Sequence, residues 1–212
     1  MARTPQFLTV IDHPLVQSDL ARLRDRSTGS EDFRILMRRI SLLMAYEVTR
    51  SLKTERIRLK TPLEPTGGIR IRDGVALIPI LRAGLGMIEG FLEVLPDAKV
   101  GHIGIYRNEE TLQPVDYYLK LPPLNKGMVT ILLDPMLATG GSACAAIGYL
   151  RSRGAKDIVL AGIVAAPRGV QAVHEAHPAV RLFTCAVDRK LNANGYILPG
   201  LGDAGDRFFG TE

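Results

Sequence analysis

"VTILLDPMLATGGSACAAIGYLRSRG", residues 129–154, carries three signals in one stretch. A nearly uninterrupted apolar run ends in the acid Asp134, a turn holding Thr139, Gly140 and Gly141 follows, and a helix-like segment then runs to Gly154. An apolar run without polar alternation is how a strand buried on both faces reads, and strand–turn–helix is the repeating unit of a parallel sheet.

The same alternation continues on either side. "VALIPIL" (75–81), "VGHIGIY" (100–106), "IVLAGIVAA" (158–166) and "VRLFTCAV" (180–187) read as further strands, with helical segments over 84–95, 142–153 and 168–176. This predicts an α/β fold, a parallel sheet flanked by helices on both faces. Residues 31–52 place Phe33, Leu36, Ile40, Leu43, Met44 and Val48 at helical spacing, with Asp32 or Ser30 as a candidate cap. "PVDYYLKLP" (114–122) alternates instead and is expected to pair with 103–109 as a hairpin projecting from the sheet. The glycine-rich tail reads as an ordered loop. Without repeats, linkers or low-complexity tracts, residues 1–212 are expected to form a single domain.

Bulk properties narrow the function class. Apolar residues make up 46% and charged residues 23% of the chain, which is ordinary globular composition. The net charge of +5 suits anionic small molecules. A nucleic-acid binder would concentrate its cations, whereas "ARLRDR" and "RSLKTERIRLK" interleave them with acids and apolar residues. Neither a signal-peptide core nor a membrane-length apolar stretch is legible. Cys144 and Cys185 show no metal-ligand spacing and fit a reducing compartment, so a cytoplasmic protein that engages neither nucleic acid nor membrane is expected.

The corner at 134–142 has a physical use. Its glycines allow unusual backbone angles and close approach, and Ser142 is placed to cap the following helix. The amides of the turn and first helical turn then converge on an anion of about phosphate size. Read alone, "TGGS" equally suits a tight structural turn. Walker and dinucleotide fingerprints are missing. Elsewhere, His174 and His177 on one helix face read as an exposed helix end rather than metal ligands. Cys144 reads as a small buried residue. Asp206 and Arg207 read as an internal ion pair fixing the tail, and Tyr196 as either a stacking or a structural tyrosine.

The longer string "ILLDPMLATGGSA" resembles the 5-phosphoribosyl diphosphate (PRPP) motif of type I phosphoribosyltransferases, in the form found in the uracil phosphoribosyltransferase family. "PILRAGLGM" (79–87) is similar to that family's pyrophosphate loop, and "IYRNEETLQPVDYYLKLP" (105–122) to its arginine-bearing hairpin. "GYILPGLGDAGDRFFGT" (195–211) resembles its uracil-binding tail. The likeness covers nearly the whole chain; Arg39 departs from it, where an acid is expected.

The resemblance implies transfer of phosphoribose from PRPP to uracil in pyrimidine salvage. It assigns PRPP to Arg82, Arg107, Asp134, Pro135, Met136, Leu137, Ala138, Thr139, Gly140, Gly141, Ser142 and Asp203, and catalysis to Arg82, Arg107 and Asp203. It assigns uracil to Ile197, Gly202, Asp203 and Ala204. Mg²⁺ held mainly through PRPP rather than by a protein metal site, a GTP activator as in some members, and a homodimer or larger homo-oligomer are also implied. Two other readings are a regulator of the same fold that binds RNA, and a change of base to purine or orotate. The latter's carboxylate would call for a cation, for which the tail offers Arg207.

Overall fold

The computed structural model describes residues 7–107 and 114–211, with the backbone alone at 106–107 and 114–116. The chain opens with β1 (Leu8–Val10), α1 (Pro14–Arg24) and α2 (Ser30–Val48), then the hairpin β2 (Thr54–Lys60) and β3 (Pro65–Ile71). β4 (Gly74–Leu81), α3 (Leu85–Val94), β5 (Lys99–Val100), β6 (His102–Arg107) and β7 (Pro114–Lys120) follow. Next come β8 (Met128–Leu133), β9 (Met136–Leu137), α4 (Gly141–Ser152), β10 (Asp157–Ala165), α5 (Pro167–Ala176) and β11 (Arg181–Val187). The tail holds β12 (Lys190–Leu191), β13 (Ile197–Leu198) and α6 (Ala204–Phe209).

The main sheet runs β1-β11-β10-β8-β4-β6-β7, with β5 also on β4 and β9 on β10. Its ladders are parallel except for β6–β7, the antiparallel pair that the sequence predicts, which forms the edge of this sheet. Every residue of β8 is buried, as are all but the first of β10. The strands lack alternation because side chains on both faces enter a core. Val129, Ile131 and Leu133 join Phe33, Met37 and Phe91 under α1–α3. Met128 and Leu132 join Ile147, Leu150 and Val173 under α4 and α5.

Topology locates a crevice. From β4 the chain moves outward to β6, whereas from β8 it moves the other way to β10, yet β4 and β8 are neighbours. The loops leaving their carboxyl ends therefore diverge, and such a switch point is where open α/β sheets bind ligands. The register pairs Pro79 with Leu133, which puts Arg82 and Asp134 on adjacent strand ends.

Some expectations are corrected. α2 is capped by the backbone of Gly29, so Ser30 and Asp32 fall inside the helix. The tail is not all loop, since it pairs β13 with β12 and closes in the six-residue α6. The antiparallel hairpin β2–β3 has no counterpart in the sequence reading.

Candidate active site

Asp134 follows β8 directly, its N–H donating to Ala161 O at 3.1 Å. The carbonyl of Pro135 accepts from Ile163 and Val164, and Met136 and Leu137 form β9 against β10. These three residues tie the turn to the sheet. Gly140 then adopts φ +86°, the left-handed region that glycine tolerates, and serves as N-cap of α4. Ser142 is thus in the first turn and not the cap; no side chain caps this helix.

The two glycines have different roles. A Cβ on Gly140 would lie 3.0 Å from Ala172 Cβ and 3.1 Å from Gly169 O, so this glycine faces α5. A Cβ on Gly141 would meet only Thr139 Oγ1, at 3.8 Å. Asp134, Met136, Leu137, Ala138, Thr139, Gly140, Gly141, Ser142 and Ala143 line a cavity of about 80 Å³. First-turn N–H groups of a helix lack intrahelical acceptors, and here they open onto this cavity. Asp134, half-buried at its edge, is pushed up to about 6 by burial, partly offset by a hydrogen bond from the Met136 N–H. A second cavity of about 480 Å³ shares Thr139 and Gly141 and adds Arg168 and the turn Asn192–Gly195, which the sequence reading missed.

The loop after β4 lies alongside. A Cβ on Gly84 would sit 2.5 Å from Leu133 O and 2.6 Å from Ile80 O, so the loop touches the end of β8. Arg82, reached through a cis Leu81–Arg82 peptide, extends to the tail, where its Nη2 donates to Asp206 Oδ1 at 2.9 Å. The Thr211 hydroxyl donates to the same oxygen at 2.7 Å. That hydroxyl first, and Arg82 second, hold the Asp206 carboxyl below the usual range. Arg107 ends β6, but its side chain lies outside the described residues.

The tail approaches from the other side. Ile197 is buried in β13, Gly202 takes φ +78°, and Asp203 caps α6 by accepting from the Asp206 N–H at 3.0 Å. Ala204 is buried as the helix's first residue. The Cβ position of Gly205 is 3.9 Å from Arg82 Nη2 and 3.2 Å from Asp203 Oδ1. Arg82 and the first turn of α6, which Asp203 caps, therefore share one seam, and Gly84 beside it abuts Leu133, just before the corner at 134–142.

Two arginines brace this tail. Arg207 does not pair with Asp206; it donates to Leu23 O, Leu201 O and Asp25 O at 2.6–2.8 Å, with its guanidinium 4.5 Å over Phe33. Arg24 forks onto buried Asp188 at 2.7 and 2.8 Å and also donates to Gly200 O. Neither arrangement was readable in sequence, since each joins residues more than 160 apart.

The remaining candidates fall away from the seam. His174 is half-buried and stacked 3.7 Å from Phe7, and His177 Nε2 lies 3.1 Å from Cys144 O, which corrects the reading of an exposed helix end. Cys144 is half-buried rather than buried, and partial burial raises its thiol. Tyr196 is half exposed. Arg39, the departure from the family pattern, pairs with buried Asp19 at 3.1 Å. Among the described residues, no group of three or more His, Cys, Asp or Glu is arranged to hold a metal, and no helix is long and apolar enough to cross a membrane.

The family model described as Uracil phosphoribosyltransferase matches residues 10–211. A uracil phosphoribosyltransferase of Thermoanaerobacter sp. (strain X514) is 55% identical over 205 residues, covering 96% of this chain and 97% of that protein. The solved structure of the AQ2163 protein from Aquifex aeolicus superposes with a TM-score of 0.90 at 36% identity, covering 95% of this chain and 97% of that one. A purine phosphoribosyltransferase from Pyrococcus horikoshii Ot3 superposes over 74% of this chain and 86% of that one, with a TM-score of 0.51 at 14% identity, a likeness of fold alone.

Proposed function

The chain belongs to the uracil phosphoribosyltransferase family, and from that membership we propose how its residues divide the reaction between them. The reaction converts uracil and PRPP to UMP and diphosphate. The bond from ribose C1 to the diphosphate oxygen breaks as the bond from C1 to uracil N1 forms, and N1 gives up its proton. Positive charge builds at C1 and negative charge on the departing diphosphate.

The observation that carries the assignment of roles is the seam where three segments meet: Gly84 against Leu133 O, and Gly205 beside Arg82. The amides and hydroxyls from Ala138 to Ser142 hold the 5-phosphate, in a cavity whose size suits one phosphate. Asp134, opposite in sign, accepts from the ribose hydroxyls. Arg82 donates to the diphosphate, where a guanidinium fork matches paired oxygens and stabilises the charge that develops on leaving. Arg107 is assigned the same task from its hairpin.

Uracil presents an acceptor–donor–acceptor edge, which main-chain groups around Ile197, Gly202, Asp203 and Ala204 are suited to read. Buried Ile197 and Ala204 offer backbone more than side chain. Arg207 is engaged with carbonyls, so it does not supply the cation that orotate would require.

Mg²⁺ fits the donor chemistry. It favours oxygen ligands and is commonly held by one or two carboxylates plus substrate phosphates. Asp203 is the carboxylate placed at the diphosphate side; bound there, the ion would share neutralisation of the leaving group. We further place the whole chain in one catalytic unit working in the cytoplasm, in keeping with two unpaired cysteines. Self-association is supported by the hairpin β2–β3 and the turn joining its strands, where Leu63 and Ile69 are 94% and 70% exposed. GTP activation rests on family likeness alone.

A base panel with PRPP and Mg²⁺ tests the reading. Uracil should yield UMP, and cytosine should be rejected, since it swaps an acceptor and a donor and leaves groups unpaired at about 1–3 kcal/mol each. Comparable turnover of cytosine, orotate or a purine overturns the assignment.

A further inference from the structure

Asp206 has no role in the proposed reaction, yet among the described residues it accepts the hydrogen bond by which the tail grips Arg82. The contact is a single bond, Arg82 Nη2 to Asp206 Oδ1 at 2.9 Å, with the arginine side chain still 55% exposed. Asp206 itself is fixed on several sides. Its Oδ1 also accepts from the Thr211 hydroxyl at 2.7 Å, and its N–H donates to Asp203 Oδ1 at 3.0 Å. Its carbonyl accepts from Gly210 and Thr211 N–H at 2.7 and 3.1 Å. The aromatic ring of Phe209 lies 5.9 Å from the Arg82 guanidinium carbon.

A long, rotamer-rich side chain is thereby tethered at one nitrogen by an anchor that cannot easily move. The rest of its five-donor fork remains for a second anion. The anchor sits on α6, whose cap and first residue are Asp203 and Ala204, the residues assigned to the base. Holding one end of a guanidinium lowers the entropy lost when the other end binds.

We propose that Asp206 is a positioning residue, which orients Arg82 toward the diphosphate of PRPP. The inference rests on the assignment of Arg82 to diphosphate. It predicts that Asp206 acts only through Arg82, and that an acceptor oxygen at position 206 matters more than its charge.

The test compares Asp206→Ala, which removes the acceptor, with Asp206→Asn, which keeps it. Asp206→Ala should raise KM for PRPP and Ki for diphosphate about fivefold, the upper range for an exposed ion pair. Asp206→Asn should restore most of that loss, while KM for uracil and the melting temperature stay unchanged in both. In an Arg82→Ala background, Asp206→Ala should add nothing further. An unchanged or tighter diphosphate Ki in Asp206→Ala overturns the proposal. So does a loss shared by KM for uracil and the melting temperature, or an additive effect on top of Arg82→Ala. Should Asp206→Ala fail to fold, Thr211→Val loosens the same oxygen and must shift the same two constants in the same direction, or the proposal falls. Absence of diphosphate inhibition in the unmodified enzyme would instead overturn the role assigned to Arg82.

Discussion

Under the proposed assignment, the corner at 134–142 and the seam between Arg82 and the tail would take hold of the two ends of one substrate by opposite means. The corner uses backbone set by a left-handed glycine and a strand register, with neighbours close in sequence. The seam uses a full cation, tethered by a partner 124 residues away. Backbone donors are cheap to hold in place and carry no full charge, which suits a phosphate that stays bound throughout. A pre-oriented guanidinium stabilises charge as it grows, which suits the group that leaves.

Arg82→Ala offers the hardest way to break this contrast. Because the side chain is exposed, the fold should survive, and kcat/KM for PRPP should fall about 10²–10³-fold. A loss below about tenfold would mean that the backbone corner does most of the work at both ends.

Asp134→Asn should separate stability from binding. Burial lifts Asp134 to about 6 from an ordinary 3.8, so the folded chain binds the proton more tightly than the unfolded chain. Stability contributed by this group is therefore greatest below pH 4, falls as pH rises through about 6, and stays lost above. The Asn variant lacks that loss and should melt higher at pH 8, by no more than about 3 kcal/mol, with the difference vanishing near pH 4. Its PRPP affinity should drop about tenfold, as for a lost charged acceptor. Binding by the unmodified enzyme should likewise weaken as pH falls below 6, as calorimetry at several pH values would show. A variant that melts no higher at pH 8 would mean the carboxylate is not strained by its setting.

The two glycines sharpen the contrast with smaller effects. Gly140→Val forces a branched residue into φ +86° against α5, and chemical denaturation should show a loss of about 1–3 kcal/mol. Gly141→Ala should leave stability within about 0.5 kcal/mol, because a Cβ there meets open space. Its PRPP dissociation constant should nevertheless rise a few-fold as the methyl group intrudes on the cradle. Equal PRPP binding by Gly141→Ala and the unmodified enzyme would place the phosphate elsewhere.

What sequence could disclose follows the same division. β4, β6, β8, β10 and β11 and α3–α5 were legible because apolar runs mark elements that enter the core, and the turn because its residues are contiguous, whereas the short β1, β9, β12 and β13 carry no such run. β2–β3 was not legible, since "TERIRLK" and "PTGGIRI" lie exposed and enter neither core, so they carry no long apolar run. Asp206 and Arg207 looked like partners because they are adjacent. On the short helix α6 they point apart, one to Arg82 and the other to the carbonyls around Leu23. The Ser142 cap was misplaced by two residues because the left-handed turn at Gly140 starts the helix early.

The bare α-carbon of Gly84, pressed against Leu133 O and Ile80 O, works as a rivet between the two grips. Under the proposed assignment, the spacing of the two backbone segments that would clasp PRPP as jaws is set by one strand register. A sugar phosphate without the second anionic end fills one jaw and leaves the other idle. Length along the substrate is thus gauged by the sheet itself, like a caliper locked at a single opening, before any of its chemistry is read.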